Sequence, residues 1–145
     1  MAGTDDSKYI VYTDGAVEPV NPGGQGVGGW IIKDGDDVLS KGALNLGMTP
    51  DMTNNIAEYG AVAGALTEMM KNGWLSRPVM LMTDSQLVVN QLNDKWSCRT
   101  PHLRQWRDMI WKIAEAFPSV SFHWIPRLEN KEADEMSRSL YPRDG

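Results

Sequence analysis

At 145 residues the chain has room for one core and not for two, because domains usually run to about 100 to 150 residues and half of this length would be marginal. Apolar residues make up 41% and charged residues 23%, which excludes both a disordered tail and a disulfide scaffold. The formal net charge of −5 excludes a protein that holds nucleic acid by bulk positive charge, so the acidity itself needs an explanation.

Lys8 to Thr13 is β-branched and aromatic and runs into Asp14-Gly15, a turn signal, so a first strand is predicted there. After a Pro/Gly-rich connection, Gly28–Lys33 and Asp37–Leu44 flank Asp34-Gly35-Asp36 and predict an antiparallel hairpin. From Asn55 to Lys71 the apolar positions Ala57, Ala61, Val62, Ala65, Leu66 and Met69 recur at helical spacing, and Asn72-Gly73 supplies the stop. Val79 to Thr83 is a short apolar run of the kind buried on both faces of a parallel strand. Ser85 to Leu92 predicts a short helix. Thr100-Pro101 opens another, with Leu103, Trp106, Ile110, Ile113 and Phe117 on one face. Val120–Ile125 is the last strand, and Glu129–Leu140 the last helix.

Strands joined through helices are normally parallel, so the first, fourth and fifth strands are expected to run parallel, with the second and third attached as an antiparallel edge. The class is α/β: a mixed sheet with helical cover. One domain is expected over residues 8–141, between tails at 1–7 and 142–145. The N-terminus lacks an apolar leader and no window approaches the roughly 18 apolar residues of a span, so a cytoplasmic protein with no membrane partner is expected. Cys98 is the only cysteine, which leaves no intrachain disulfide.

Charge is unevenly placed: residues 1–58 hold three Lys/Arg against nine Asp/Glu, and residues 59–145 eleven against ten. Lys95, Arg99, Arg104, Arg107 and Lys112 form a basic stripe opposed only by Asp108. Gly24-Gln-Gly26-Val-Gly28-Gly29 matches a dinucleotide fingerprint, but it precedes a strand where that fingerprint must open a helix, so its glycines are read as permitting close approach of another backbone.

Two segments resemble each other, Val11-Tyr-Thr-Asp14-Gly and Leu81-Met-Thr-Asp84-Ser, each placing an Asp where a buried strand emerges. Neighbouring strands lie about 4.8 Å apart, so the two carboxylates would meet at one rim. Glu58, expected in the first turn of its helix, and Asp134, early in the last one, could complete a cluster. Singly, these acids are explained by turns, caps and helix dipoles. Four carboxylates on one rim would repel, which is tolerable only with bound cations or raised pKa values. Oxygen-only ligands suit Mg²⁺ or Mn²⁺ and not zinc, and two such ions are a known device for in-line displacement at phosphorus.

Tyr12-Thr-Asp14-Gly-Ala, Asn21-Pro-Gly-Gly, Thr53-Asn-Asn-Ile-Ala-Glu58, Thr83-Asp84-Ser-Gln86 and Asn130-Lys-Glu-Ala-Asp134 resemble the motifs of the type 1 ribonuclease H family, over nearly everything from Tyr9 to Leu140. The resemblance implies a five-stranded mixed sheet, three strands antiparallel and two parallel, with helices on both faces. It also implies endonucleolytic hydrolysis of the RNA strand of RNA/DNA hybrids, with Asp14, Glu58, Asp84 and Asp134 holding two Mg²⁺ ions, Mn²⁺ substituting, to remove RNA primers and stray hybrids. By the same resemblance Gly15, Asn21, Asn55 and Gln86 line the groove that reads RNA 2′-hydroxyls. Thr53 and Asn54 would hold the DNA strand or its phosphates. Apart from the resemblance, Arg127 in the last loop is a candidate contact to a phosphate. The chain departs from better-studied members in two ways: no Lys-rich protrusion fits within Gln91–Pro101, and Ile125–Asn130 is short and lacks the loop His. It therefore resembles the protrusion-lacking branch. His123, within a strand, does not replace that residue. A monomer without an obligate protein partner is expected. The alternatives are a related nuclease acting on DNA or duplex RNA, and a non-catalytic hybrid-binding module.

Overall fold

The computed structural model describes residues 7–141, so the expected tails at 1–7 and 142–145 lie outside the described residues apart from Ser7. The chain runs β1 (Tyr9–Glu18), β2 (Gln25–Asp34), β3 (Asp37–Met48), α1 (Asn54–Lys71), β4 (Val79–Thr83), α2 (Gln86–Leu92), α3 (Pro101–Ala114), β5 (Val120–Trp124), a 3-10 turn (Arg127–Glu129) and α4 (Lys131–Arg138). The five strands form one sheet in the order β3-β2-β1-β4-β5. β1, β2 and β3 pair antiparallel, while β4 and β5 continue parallel from β1, as the element order predicted.

The register shows how the helices reach both faces. Asp14 pairs with Gly29 and Gly15 with Gly28, and directly opposed residues share a face. A Cβ on Gly28 would stand 2.8 Å from Ala61 Cα of α1, and one on Gly29 would stand 2.3 Å from the Ser137 amide nitrogen of α4. Successive residues point to opposite faces, so α1 and α4 press on opposite sides of the sheet. The close approach expected of the glycine run is to helix backbone at Gly28 and Gly29, whereas Gly24 faces the carbonyls of Glu18 and Val20 and Gly26 the Met52 side chain. On the α1 side, Val11, Ile32, Tyr59, Val62, Leu66, Leu81 and Ile110 belong to the main buried cluster, together with residues of α2 and α3. Cys98 is buried in the same cluster, which leaves no accessible thiol there. Within it the Tyr59 hydroxyl donates to Gln91 Oε1 at 2.6 Å, satisfying both buried polar groups.

Two boundaries differ from the sequence reading for tertiary reasons. Asp14-Gly15 is not a turn: β1 continues to Glu18 because β2 begins at Gln25 and pairs with it throughout. The last helix is shorter than predicted, starting at Lys131 after the 3-10 turn and ending at Arg138. Thr100 stands at the start of α3 with Pro101 behind it, but its side chain makes no capping bond. Asp34-Gly35-Asp36 forms the predicted hairpin turn, with Gly35 at φ +61°.

Replacing Gly29 by Ala is expected to cost about 1 to 3 kcal/mol, because the new methyl meets helix backbone and not a movable side chain. Urea denaturation measures this. A neutral result would mean that α4 sits farther from β2 than described.

Candidate active site

Each carboxylate reaches the site from a different element. Asp14 lies on β1 on the α4 side and is 5% exposed. Asp84 follows β4, and since Tyr12 pairs with Met82 in parallel register the two Asp positions are level. The loop behind Asp84 is fixed by Ile125 N–H donating to Thr83 O at 3.0 Å and by Trp124 Nε1 donating to Asp84 O at 3.2 Å. Ser85, and not Asp84, caps α2, its Oγ accepting from Val88 N–H at 3.2 Å. Glu58 comes from α1 and accepts from Gly15 N–H at 2.9 Å, a contact possible because Gly15 has no Cβ to collide with Ala57 and Glu58 backbone. Because α1 starts at Asn54, Glu58 stands beyond its first turn, and the helix-dipole explanation does not account for it. Asp134 is placed by Asn130, whose buried Nδ2 donates to Thr13 O at 2.8 Å and so ties the start of α4 to the residue before Asp14.

Asp14, Glu58 and Asp84 bring carboxylate oxygens within 4.8 Å of one another, and Asp134 lies beside Asp14, close enough to influence its charge. Burial, then the adjoining Asp134 side chain and the charges of Asp84 and Asp134, push the Asp14 carboxyl up to about 8, against the opposing Gly15 amide. Burial and then the charges of Asp14 and Asp84 hold Glu58 well above the usual carboxylate range. Asp84 is also raised by burial, with Arg127 as the largest opposing influence. A bound cation would offset the mutual repulsion of these carboxylates once ionised, and an oxygen-only set suits a hard divalent ion, so these residues fit Mg²⁺ or Mn²⁺.

The four acids line an open cleft of about 340 Å³, together with Gly15, Asn54 and Arg127. Asn21 lies outside it but holds its wall, its Oδ1 accepting from Asn54 N–H at 3.3 Å. Thr53 caps α1 and, with Asn55, lines a separate groove beside Pro22, Asp51 and His102. Gln86 is exposed at the start of α2. Two further charged residues of the cleft, Glu18 and Arg138, escaped the sequence reading. Arg138 was discoverable in principle, since it stands four residues after Asp134 on one helix, whereas its other partner is Glu18, 120 residues away in sequence.

The basic stripe is largely occupied by internal contacts. The Arg107 guanidinium lies 4.4 Å from the centre of the Trp111 ring and pairs with Asp108 at 2.9 Å. Lys112 pairs with Glu115, and Arg104 donates to the carbonyls of Cys98 and Arg99. Lys95 and Arg99 have no ion pair among the described residues and stand exposed near Trp96, itself 47% exposed.

A sequence profile described as reverse transcriptase-like matches residues 12–140. A bifunctional protein of Mycobacterium tuberculosis is 30% identical over 131 residues, covering 90% of this chain and 34% of its own length. Ribonuclease HI of Halobacterium salinarum is 35% identical over 127 residues, covering 87% of this chain and 60% of its own. The chain thus spans about a third of the mycobacterial relative and less than two thirds of the halobacterial one. Among solved structures, LC11-RNase H1, isolated from compost by a metagenomic approach and crystallised with an RNA/DNA hybrid, superimposes with a TM-score of 0.81 at 32% identity, covering 91% of this chain and 95% of its own. With that fold, that sequence match and carboxylates from β1, α1, the end of β4 and α4 gathered in one cleft, the chain belongs to the type 1 ribonuclease H family.

Proposed function

We propose that the protein hydrolyses the RNA strand of RNA/DNA hybrids endonucleolytically, with two divalent cations held by Asp14, Glu58, Asp84 and Asp134. The observation that carries this reading is the gathering of three carboxylates within 4.8 Å, with the fourth on the flank of Asp14, in an open cleft. Bound there, the cations supply water activation and stabilise the leaving oxygen of an in-line displacement at phosphorus. The chain's own groups position the substrate. Arg127, exposed and close enough to Asp84 to influence its charge, offers a forked donor to a backbone phosphate. Gly15, Asn21, Asn55 and Gln86 are assigned to the RNA strand and its 2′-hydroxyls, and Thr53 and Asn54 to the DNA strand or its phosphates.

Mg²⁺ is the proposed cation and Mn²⁺ the substitute. The biological role we assign is removal of RNA primers and stray hybrids, by a cytoplasmic monomer of the protrusion-lacking branch without an obligate protein partner. No helix among the described residues is long and apolar enough to cross a membrane.

A panel of labelled RNA/DNA hybrid, duplex RNA, duplex DNA and four-way junction, incubated in Mg²⁺ and in Mn²⁺, tests the assignment. The expected result is shortening of hybrid RNA in either cation and none in EDTA. Intact hybrid RNA in both cations overturns the activity, and preferential cutting of DNA or duplex RNA overturns the substrate.

A further inference from the structure

Asp134 is the acid of the cleft that is already engaged by a cation. Its Oδ1 accepts from Arg138 Nε at 3.1 Å, one helical turn along α4. Through a different nitrogen, Nη1, the same guanidinium donates to Glu18 at 2.6 Å, at the far end of β1. Both residues line the cleft. A guanidinium is planar with its donors in a fixed fork, so Arg138 cannot turn toward one carboxylate without changing its hold on the other. Its contact with Glu18 is the shorter of the two.

We propose that the Glu18–Arg138 pair sets how tightly a divalent cation is held at Asp134: Arg138 competes with the cation for that carboxylate, and Glu18 weakens the competition by drawing the guanidinium toward itself. The inference rests on the reading of Asp134 as a ligand, and it adds two residues outside the four acids whose effects on cation affinity have opposite signs.

A cation approaching Asp134 meets a positive group 3.1 Å from the ligand oxygen. That contact must break, or the cation must bind beside a like charge. The side chains of Arg138 and Asp134 are 39% and 30% exposed, so solvent screens the competition and the effect on binding is moderate. Without Glu18, whose side chain is 46% exposed, the guanidinium has only Asp134 to answer, and competition rises. Glu18 therefore acts through Arg138, which separates it from an acid that simply adds negative charge to the cleft.

Calorimetric titration with Mn²⁺ alone, without substrate, tests this on four proteins: wild type, Arg138→Gln, Glu18→Gln and the double variant. Exposed ion pairs of this kind are worth up to about 1 kcal/mol, which is roughly fivefold in affinity. Arg138→Gln is expected to bind Mn²⁺ about three- to fivefold more tightly than wild type, and Glu18→Gln about two- to fivefold more weakly. In the double variant the Glu18 substitution is expected to have lost most of its effect, because its route is gone. Unchanged or weaker binding by Arg138→Gln overturns the proposal, as does an equal effect of Glu18→Gln in both backgrounds. If Arg138→Gln does not fold, judged by its thermal melt in EDTA, the exposed Glu18→Gln decides, and unchanged affinity there overturns it. Wild type that binds no more Mn²⁺ than Asp14→Asn removes the metal reading itself. Normal wild-type binding with flat variants removes only this inference.

Discussion

Replacement of Asp14 by Asn is expected to lower hybrid cleavage by at least about 10³-fold while leaving a folded protein. Asp14 stands among the other three candidate ligands: its carboxylate lies within 4.8 Å of those of Glu58 and Asp84, and Asp134 is beside it, close enough to influence its charge. On the proposed reading Asp14 would help hold the divalent cations, so the Asn variant would remove a central negative charge from their site. Losing one preorganised group that stabilises a transition state commonly costs about 10² to 10³ in rate, and the central position puts Asp14 at or above the upper end. Asn has nearly the same shape and needs no proton taken from or shared with its neighbours, so the fold is kept. Single-turnover cleavage of labelled hybrid at saturating Mg²⁺ measures the effect. Activity within tenfold of wild type would remove Asp14 from the centre of the site. Glu18→Gln provides the contrast, since its effect runs through cation affinity and is expected to fade as Mg²⁺ is raised.

The architecture was legible because the period of the apolar residues changes where the chain changes element. Ala57, Ala61, Val62, Ala65, Leu66 and Met69 carry helical spacing, and all six are buried in α1. Val79–Thr83 is continuously apolar and forms β4, the central parallel strand between β1 and β5. Asp14-Gly15 misled because its local signal is that of a turn, while the strand that pairs with it begins ten residues later and outweighs that preference. The glycine run was readable as close approach, but its two helix targets, Ala61 and Ser137, could be known only from the register that sends Gly28 and Gly29 to opposite faces.

The candidate site divides in the same way. The four acids were readable because each falls within a short motif beside a predicted strand or helix, and they line one cleft. Glu18 was not readable, since its meaning comes from Arg138. The stripe from Lys95 to Lys112 counts as five positive charges in sequence, but in three dimensions Arg107 serves Trp111 and Asp108, and Arg104 serves two carbonyls. A charge count cannot distinguish a cation that faces a substrate from one that holds a loop.

Stability without divalent cations is expected to fall as pH rises from about 4 to about 8, a window in which most proteins are near their most stable. The cause is the Asp14 carboxyl, pushed up to about 8 chiefly by burial and then by its acidic neighbours, with Glu58 and Asp84 raised in the same direction. In the unfolded chain an aspartate releases its proton near pH 3.9. Between that value and about 8 the folded protein holds more protons than the unfolded one, so raising the pH favours unfolding. Below about 4 both states are protonated and the contribution of Asp14 is fully present. Above about 8 both are ionised and it has been lost. Each unit separating the folded and unfolded pKa corresponds to about 1.4 kcal/mol, so the loss over the window is on the order of a few kcal/mol. On the proposed reading divalent cations would bind the folded cluster and not the unfolded chain, and would favour its ionised form. Saturating Mg²⁺ is therefore expected to restore stability most at the alkaline end. Urea denaturation at pH 5 and pH 8, in EDTA and in Mg²⁺, gives the comparison. Asp14→Asn isolates the cause, since it lacks the titrating group and is expected to lose much less stability between the two pH values in EDTA. Parallel pH profiles for wild type and Asp14→Asn would show that the buried carboxyl is not what makes the metal-free protein pH-sensitive.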